Sequence, residues 1–227
     1  MINVNELSKV LGIDINDASY YELALTHPSY NGEAKTKHRD YERLEFIGDA
    51  VLGFVCADLI FKNHPKLDEG ILSKLRSYIV KKESLSNYAR KMHLEDFVKV
   101  GHSIPKSAVV ASNKILEDVF EALVGAVYND KGFEVVYEYV KGIVLNDVLT
   151  LDLDVLTDHK SKLQELMASE QRDAVTYVTI DEKGPAHDKT FTVNVLYNGI
   201  VLGTGEGKSK KEAEENAAKA ALDKGII

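Results

Sequence analysis

Apolar side chains recur at three- and four-residue spacing through most of residues 1–149, which is the periodicity of amphipathic helices. The spacing predicts four long helices, at Glu42–Phe61, Ser73–Met92, Lys114–Tyr128 and Glu134–Leu149. Turn-forming residues separate them, including Asn63-His64-Pro65 after the first helix. We therefore expect an all-α domain over residues 1–149.

A different pattern begins after Thr150. Residues 150–157 are short and carry only acidic charges, as expected of a linker. Residues 158–227 predict a helix at Ser161–Ser169, strands at Ala174–Ile180, Thr190–Tyr197 and Ile200–Thr204, and a final helix from Lys210. Asn198-Gly199, between the last two strands, is a strong two-residue hairpin signal. The order α-β-β-β-α predicts a small α+β domain, so the expected fold is multidomain.

The net charge and the cysteine content exclude few classes of function. The 227 residues carry 28 Lys+Arg and 36 Asp+Glu, a formal net charge of −8, so any surface that binds a polyanion must be a local patch. The one cysteine, Cys56, lies in an apolar run and is best interpreted as a buried small hydrophobe. No secretory signal and no apolar stretch of about 18 residues is visible, so we expect a cytoplasmic protein.

Acidic residues interrupt two of the predicted helices, and their spacing places each set on one helix face. The sets are Glu42, Glu45 and Asp49 in the first helix, and Asp118 and Glu121 in the third. Their apolar neighbours suggest that these helices are buried, and a buried ionised carboxylate is costly unless it is paired or binds a metal. A solvent-facing acidic stripe is the alternative. Because Arg43 and Lys114 are the nearest basic residues, we favour a hard-cation site, most naturally for Mg²⁺.

Other catalytic patterns fail on spacing. The chain has no Glu-x-x-His pair and no His-Glu-x-x-His motif, which excludes the usual di-iron and zinc-peptidase patterns. His187-Asp188 could mimic a phosphohydrolase dyad, but it lies in a predicted turn. Gly203–Ser209 is similar to a phosphate-binding loop, yet Leu202 stands where that motif needs glycine. Alone, this segment is more simply a Gly-rich bend and a solvated lysine run before a surface helix.

Four segments, in order along the first domain, resemble the motifs of the ribonuclease III family. They are Leu25–Tyr30, Glu42–Leu52 with Ile47 where leucine is more usual, Asp68–Gly70 followed by Ser73–Arg76, and Leu116–Leu123. The resemblance implies a divalent-metal-dependent endonuclease for double-stranded RNA that acts as a homodimer.

The resemblance also assigns roles to individual residues. It implies metal ligands at Glu45, Asp49, Asp118 and Glu121, of which Asp49 and Glu121 are catalytic, and accessory acidic positions at Glu42 and Glu69. Phe46 matches a residue of the dimer interface, although core packing accounts for it equally well. For His27, a hydrogen-bonded structural histidine is the better interpretation.

Three segments of the second domain resemble the double-stranded-RNA-binding domain. They are Lys162–Glu165, Gly184–His187 with Phe191, and Lys208–Ala213 with Ala217-Ala218. Such domains read the A-form shape of duplex RNA. The resemblance implies minor-groove contacts by Gln164, Glu165 and His187, and phosphate contacts by Lys208, Ser209, Lys210 and Lys211.

Together these resemblances imply a two-domain member of the ribonuclease III family. One Mg²⁺, for which Mn²⁺ can substitute, would activate water and a second would stabilise the leaving 3′ oxygen. The resemblance implies 5′-phosphate and 3′-hydroxyl ends with short 3′ overhangs, and roles in ribosomal, messenger and transfer RNA processing. A non-catalytic duplex-RNA-binding or antitermination-like module is one alternative, although it would be expected to lose acidic ligands. A small-nucleotide phosphohydrolase is another, but it leaves the second domain without a purpose.

Overall fold

The structure is a computed structural model that describes residues 3–33, 39–152, 158–169, 173–185 and 188–225. The chain divides into two compact units, Met1–Leu156 and Thr157–Ile227. The first unit is helical and the second is α-β-β-β-α, so the predicted fold class is confirmed. Residues 153–157 of the predicted linker lie outside the described residues.

The first unit is built from helices around one apolar core. Its described α-helices are α1 (Val4–Leu11), α2 (Ala18–Ala24), α3 (Glu42–Asn63), α4 (Glu69–Ile79), α5 (Lys82–Lys91), α6 (Lys106–Ala111), α7 (Asn113–Lys131) and α8 (Phe133–Thr150). The single helix predicted over Ser73–Met92 is wrong, because α4 ends at Ile79 and the extended backbone of Lys81 caps a new helix. No helix in the described part of the chain is long and apolar enough to cross a membrane.

The packing of α3 against α7 positions the acidic residues. The central turns of α7, from Val119 to Val127, are buried, since α7 runs through the middle of the unit. Glycines allow the two helices to approach closely: a Cβ atom on Gly125 would lie 2.2 Å from the carbonyl oxygen of Leu44. The first two turns of α3 are therefore held against the middle of α7.

The second unit packs two helices on one antiparallel sheet. Its elements are α9 (His159–Ser169), β1 (Thr176–Lys183), β2 (Thr190–Tyr197), β3 (Ile200–Gly207) and α10 (Lys210–Asp223), with the strands in the order β1-β2-β3. Asn198 and Gly199 both have positive φ, at 49° and 78°, and they form the predicted two-residue turn between β2 and β3.

The glycines before α10 are part of a strand. The predicted Gly-rich bend is wrong, because β3 continues through Gly207. A Cβ atom on Gly205 would lie 2.1 Å from the backbone nitrogen of Ala217, and one on Gly203 would lie 2.4 Å from the carbonyl oxygen of the same residue. Because these positions have no side chain, the backbone of α10 packs directly against β3, and this contact fixes the position of α10 on the sheet.

Candidate metal centre and nucleic-acid interface

Helices α3 and α7 bring three carboxylates together. One carboxylate oxygen from each of Glu45, Asp118 and Glu121 lies within 4.8 Å of the other two. Asp118 and Glu121 are buried and Glu45 is half-buried. The i, i+3 spacing of Asp118 and Glu121 puts both side chains on the face of α7 that meets α3. The structure thus brings together three of the four residues predicted to bind metal.

The carboxylates of this cluster repel one another. Burial, followed by the negative charge of Asp49 and Glu117, raises the pKa of Glu121 to about 8. Burial and the charge of Asp118 likewise raise the pKa of Glu45. A divalent cation would neutralise this excess negative charge and favour the ionised carboxylates. The sequence analysis did not identify Glu117. Its negative charge raises the pKa values of Glu121 and Glu45, and its position directly before Asp118 could have indicated that it lies near the cluster.

One carboxylate oxygen of Asp118 is suited to bind a cation. Its Oδ2 accepts a hydrogen bond from the Tyr41 hydroxyl at 3.1 Å. Its buried Oδ1 is paired with the Lys114 ammonium at 2.5 Å, and the residues that the structure describes donate no other hydrogen bond to it. A buried carboxylate oxygen among other carboxylate oxygens is the donor type that Mg²⁺ prefers. The residues present therefore fit a hard divalent cation.

Lys114 brings a positive charge into contact with the cluster. In addition to Asp118, its Nζ lies 3.6 Å from Glu117 and 3.8 Å from Glu45, which belongs to the opposite helix. The contact with Asp118 raises the pKa of Lys114, so its ammonium stays protonated at neutral pH. Sequence proximity had indicated Lys114 as a candidate partner, and its contact with Glu45 depends on the packing of α3 against α7.

The remaining acidic positions are exposed. The expectation that Asp49 is buried is wrong: it lies on the solvent side of α3, and it is linked to the cluster by its charge, which raises the pKa of Glu121. Glu42 is also exposed, and its charge acts on the pKa of Glu45. Glu69 is in the first turn of α4, where it accepts a hydrogen bond from Ser73 at 2.8 Å.

Phe46 projects into solvent. It is 79% exposed, which excludes the alternative that it packs in the core. Phe54 and Phe61, further along α3, are 57% and 71% exposed. Positions 46, 54 and 61 fall on one side of a helix with 3.6 residues per turn, so α3 presents an apolar face beside the acidic cluster. We call Phe46, Phe54 and Phe61 the α3 apolar face.

His27 lies behind the cluster. Its Nδ1 accepts a hydrogen bond from the backbone nitrogen of Ser29 at 3.0 Å, and its ring meets that of Tyr41 edge-on with centroids 5.7 Å apart. Burial lowers its pKa. A neutral histidine that supports Tyr41, the hydrogen-bond donor to Asp118, agrees with the structural role preferred from the sequence.

In the second unit, two predicted RNA contacts lie on α9. Gln164 and Glu165 are exposed, and with Lys160 and Tyr177 they line a shallow pocket of about 430 Å³. Lys160 lies 4.7 Å from the Tyr177 ring centroid and forms an ion pair with Glu214 of α10. The predicted contact His187 lies outside the described residues.

The predicted phosphate contacts lie where β3 leads into α10. The side chains of Lys208, Lys210 and Lys211 are all exposed. Lys208 pairs with Asp188 at 2.7 Å, and Lys210 pairs with Glu182 at 3.2 Å.

Ser209 has a structural role at the same position. Its hydroxyl caps α10 by accepting a hydrogen bond from the backbone nitrogen of Glu212 at 3.2 Å. The Glu212 carboxylate in turn accepts a hydrogen bond from the backbone nitrogen of Lys208 at 2.7 Å. These two bonds fix the start of α10 and hence the positions of the neighbouring lysines.

Comparison with known proteins adds independent information. A family model described as Ribonuclease-III-like matches residues 17–148, and a double-stranded RNA binding motif matches residues 159–224. A protein named ribonuclease 3 from Streptococcus gordonii is 42% identical over 221 residues, which cover 97% of this chain and 95% of that protein.

Two solved structures are similar to the first unit. One is a nuclease domain of ribonuclease III from Campylobacter jejuni, with a TM-score of 0.59 and 32% identity, covering 67% of this chain and 100% of that one. Another structure of that nuclease domain, described by its structural flexibility in a region involved in dimer formation, has a TM-score of 0.58 and 32% identity, covering 63% and 97%.

Proposed function

This chain belongs to the ribonuclease III family of double-strand-specific endoribonucleases, and on that basis we propose that Mg²⁺, or Mn²⁺ in its place, drives RNA hydrolysis at the α3–α7 cluster. The observation that carries the proposal is the convergence of Glu45, Asp118 and Glu121, which each offer a carboxylate oxygen within 4.8 Å of the other two. Such a set of oxygen ligands suits hard cations.

The proposed ligands come from both helices. Glu45 and Asp49 of α3 and Asp118 and Glu121 of α7 would hold the metal, with Asp49 on the open side toward the substrate. Bound divalent ions supply an attacking water at neutral pH and offset the charge that develops on the leaving 3′ oxygen. Tyr41 keeps Asp118 in place by its hydrogen bond to Oδ2, so that Oδ1 remains directed at the cluster.

In this proposal Glu121 must lose its proton before it can bind the metal. Its pKa of about 8 means that the metal-free protein holds a proton there through much of the neutral range. Metal binding requires the carboxylate form and therefore releases that proton. Attack by water on the phosphorus, with departure of the 3′ oxygen, leaves 5′-phosphate and 3′-hydroxyl ends. We expect short 3′ overhangs when both strands are cut.

The second unit would add affinity for duplex RNA. Gln164 and Glu165 on α9, with His187, are proposed to meet minor grooves, and the lysines at the start of α10 to meet phosphates. Lys208 and Lys210 would exchange their ion pairs with Asp188 and Glu182 for phosphate contacts. Lys211, which is also exposed, would contact phosphate beside them. Ser209 contributes mainly by capping α10, which fixes the position of these lysines.

We further propose a homodimer formed through the α3 apolar face. Three phenylalanines on one side of a single helix are an unusual surface for a monomer in water. A two-fold dimer would bury them and bring two acidic clusters to one duplex, one for each strand. One of the similar Campylobacter jejuni nuclease domains has structural flexibility in a region involved in dimer formation, which supports this arrangement by analogy.

The cellular role we propose is processing of ribosomal, messenger and transfer RNA precursors in the cytoplasm. The non-catalytic RNA-binding alternative is disfavoured, since all four proposed ligands are present and three of them converge. The small-nucleotide phosphohydrolase is disfavoured as well, because residues 159–224 match a double-stranded RNA binding motif.

Incubation with long duplex RNA tests the proposal. We expect internal cleavage on a denaturing gel in Mg²⁺ or Mn²⁺ and no cleavage in EDTA. The single strands of the same duplex serve as the control and should stay intact. Equal cleavage with and without divalent metal would contradict the metal site, and equal cleavage of single strands would contradict the substrate.

A further inference from the structure

Lys114 occupies a central position among the carboxylates. It lies in the first turn of α7, and its ammonium contacts Asp118 and Glu117 on its own helix and Glu45 on α3. Its side chain is nevertheless 63% exposed, so packing does not hold it in place. The charge of the cluster is therefore what attracts it.

We propose that Lys114 is a tethered counter-ion that occupies the cation position in the metal-free enzyme and weakens binding of the divalent metal. This inference rests on the proposed metal site of α3 and α7. It assigns to Lys114 a positioning role, in which the lysine acts on the metal through the ligands and does not touch the substrate.

The geometry makes the ammonium and a metal competitors for one oxygen. Lys114 Nζ lies 2.5 Å from Asp118 Oδ1, a buried oxygen to which the described residues donate no other hydrogen bond. Mg²⁺ requires an oxygen ligand at about 2.1 Å and a nearly ideal octahedral arrangement. Two cations cannot share that oxygen at such distances without strong repulsion. Binding of the metal therefore requires the ammonium to move away.

The surrounding residues allow that movement. A lysine side chain is flexible, and this one is largely exposed to solvent at the start of α7. Glu117, 3.6 Å from the ammonium, can keep it paired after it leaves Asp118. A displaced Lys114 would then remain beside the site. Glu117, which is outside the proposed ligand set, thereby acquires a role as the alternative partner of Lys114.

Removing the charge should tighten metal binding. In Lys114→Met the Asp118 oxygen is free of a competing cation, and we expect the Kd for Mg²⁺ to fall by about three- to tenfold. Lys114→Arg keeps the positive charge and should leave the Kd near the wild-type value. Lys114→Gln offers a second neutral side chain should the methionine variant fold poorly.

Isothermal titration calorimetry of the RNA-free, full-length protein with MgCl₂ measures this effect. Lys141→Met is the matched control, because Lys141 pairs with Glu138 at i, i+3 on α8 as Lys114 pairs with Glu117 on α7. It removes the same charge without touching a proposed ligand. We expect its Kd to equal that of the wild type.

The outcomes separate this inference from the proposed function. Tighter Mg²⁺ binding in both neutral variants, but not in Lys114→Arg or Lys141→Met, would support the counter-ion role. Unchanged or weaker binding in the neutral variants, with normal binding by the wild type, would overturn the inference and leave the metal site intact. No saturable binding by the wild type would overturn the metal site and the inference with it.

Discussion

A Cβ atom on Gly48 would lie 1.8 Å from the backbone carbonyl oxygen of Glu121. The backbones of α3 and α7 therefore touch where Gly48, the residue before Asp49 on α3, meets Glu121 on α7. This approach sets the separation between the carboxylates of α3 and those of α7. Gly48, which has no side chain, thus controls the geometry of a charged site.

Gly48→Ala should destabilise the first unit by about 2–4 kcal/mol, because the methyl group would force two buried helix backbones apart. Urea unfolding followed by far-UV circular dichroism measures the loss. Gly142→Ala on α8 is the control, since an added Cβ there meets nothing within 4 Å. It should be neutral or stabilising by up to about 1 kcal/mol. Similar behaviour of the two variants would contradict the role of Gly48.

Raising the pH should destabilise the metal-free protein between about pH 5 and 8. The ordinary pKa of a glutamate in the unfolded chain is 4.5, whereas that of Glu121 in the fold is about 8. Between these values the unfolded chain releases a proton that the folded protein keeps, so the free energy of unfolding falls as pH rises. The raised pKa of Glu45 acts in the same direction.

Urea unfolding in EDTA at several pH values checks this dependence. Glu121→Gln cannot titrate, so its stability should fall less steeply over the same range. Mg²⁺ should reverse the trend in the wild type, since the metal binds the ionised carboxylates that higher pH produces. Identical slopes for the wild type and Glu121→Gln in EDTA would show that Glu121 is not the titrating group.

Replacing Lys210 and Lys211 with alanine should weaken binding to duplex RNA of any sequence to a similar extent. Phosphate contacts carry no sequence information, and the slope of log K against log salt should drop by about one to two units. Fluorescence anisotropy at several salt concentrations measures both quantities. Lys183→Ala, which removes a lysine that pairs with Asp181 on β1, is the control. A loss confined to one RNA sequence would argue for base recognition instead.

Phe46→Asp should weaken the proposed homodimer, because it places a charge on the α3 apolar face. We expect the midpoint of dimer dissociation in sedimentation experiments to shift to a protein concentration at least about tenfold higher. Ile200→Asp is the control: Ile200 is 66% exposed, but it lies on β3 of the second unit. An unchanged dimer in Phe46→Asp would show that this face is not the interface.

Local sequence pattern predicted the long helices and the acidic sets, because both depend on spacing within one helix. The bounds of α3, α7 and α8 differ from the predictions by only a few residues. The break between α4 and α5 was not predicted, since apolar residues keep helical spacing across Val80 and Lys81. The glycines of β3 were misinterpreted as a bend, because what requires glycine there is the close approach of the α10 backbone, which local sequence pattern does not show.

Relationships between helices could not be predicted from spacing. The exposure of Asp49 depends on which side of α3 faces α7, and apolar neighbours in sequence do not decide that. The contact between Lys114 and Glu45 joins residues far apart in the chain, as does the approach of Gly48 to Glu121. The sequence therefore indicated the ligand types, whereas the packing of α3 and α7 determines which carboxylates converge.

If the α3–α7 carboxylates catalyse cleavage and do not serve RNA binding, Glu121→Gln should separate the two activities. This variant keeps the size of the side chain and removes one charged ligand. Cleavage of end-labelled duplex RNA in Mg²⁺ and RNA affinity in Ca²⁺ are measured on the same protein, with Glu138→Gln on α8 as the control. We expect the cleavage rate to fall by about a hundredfold or more while the RNA Kd stays within about threefold. Cleavage at a near-normal rate would show that Glu121 is not a catalytic metal ligand.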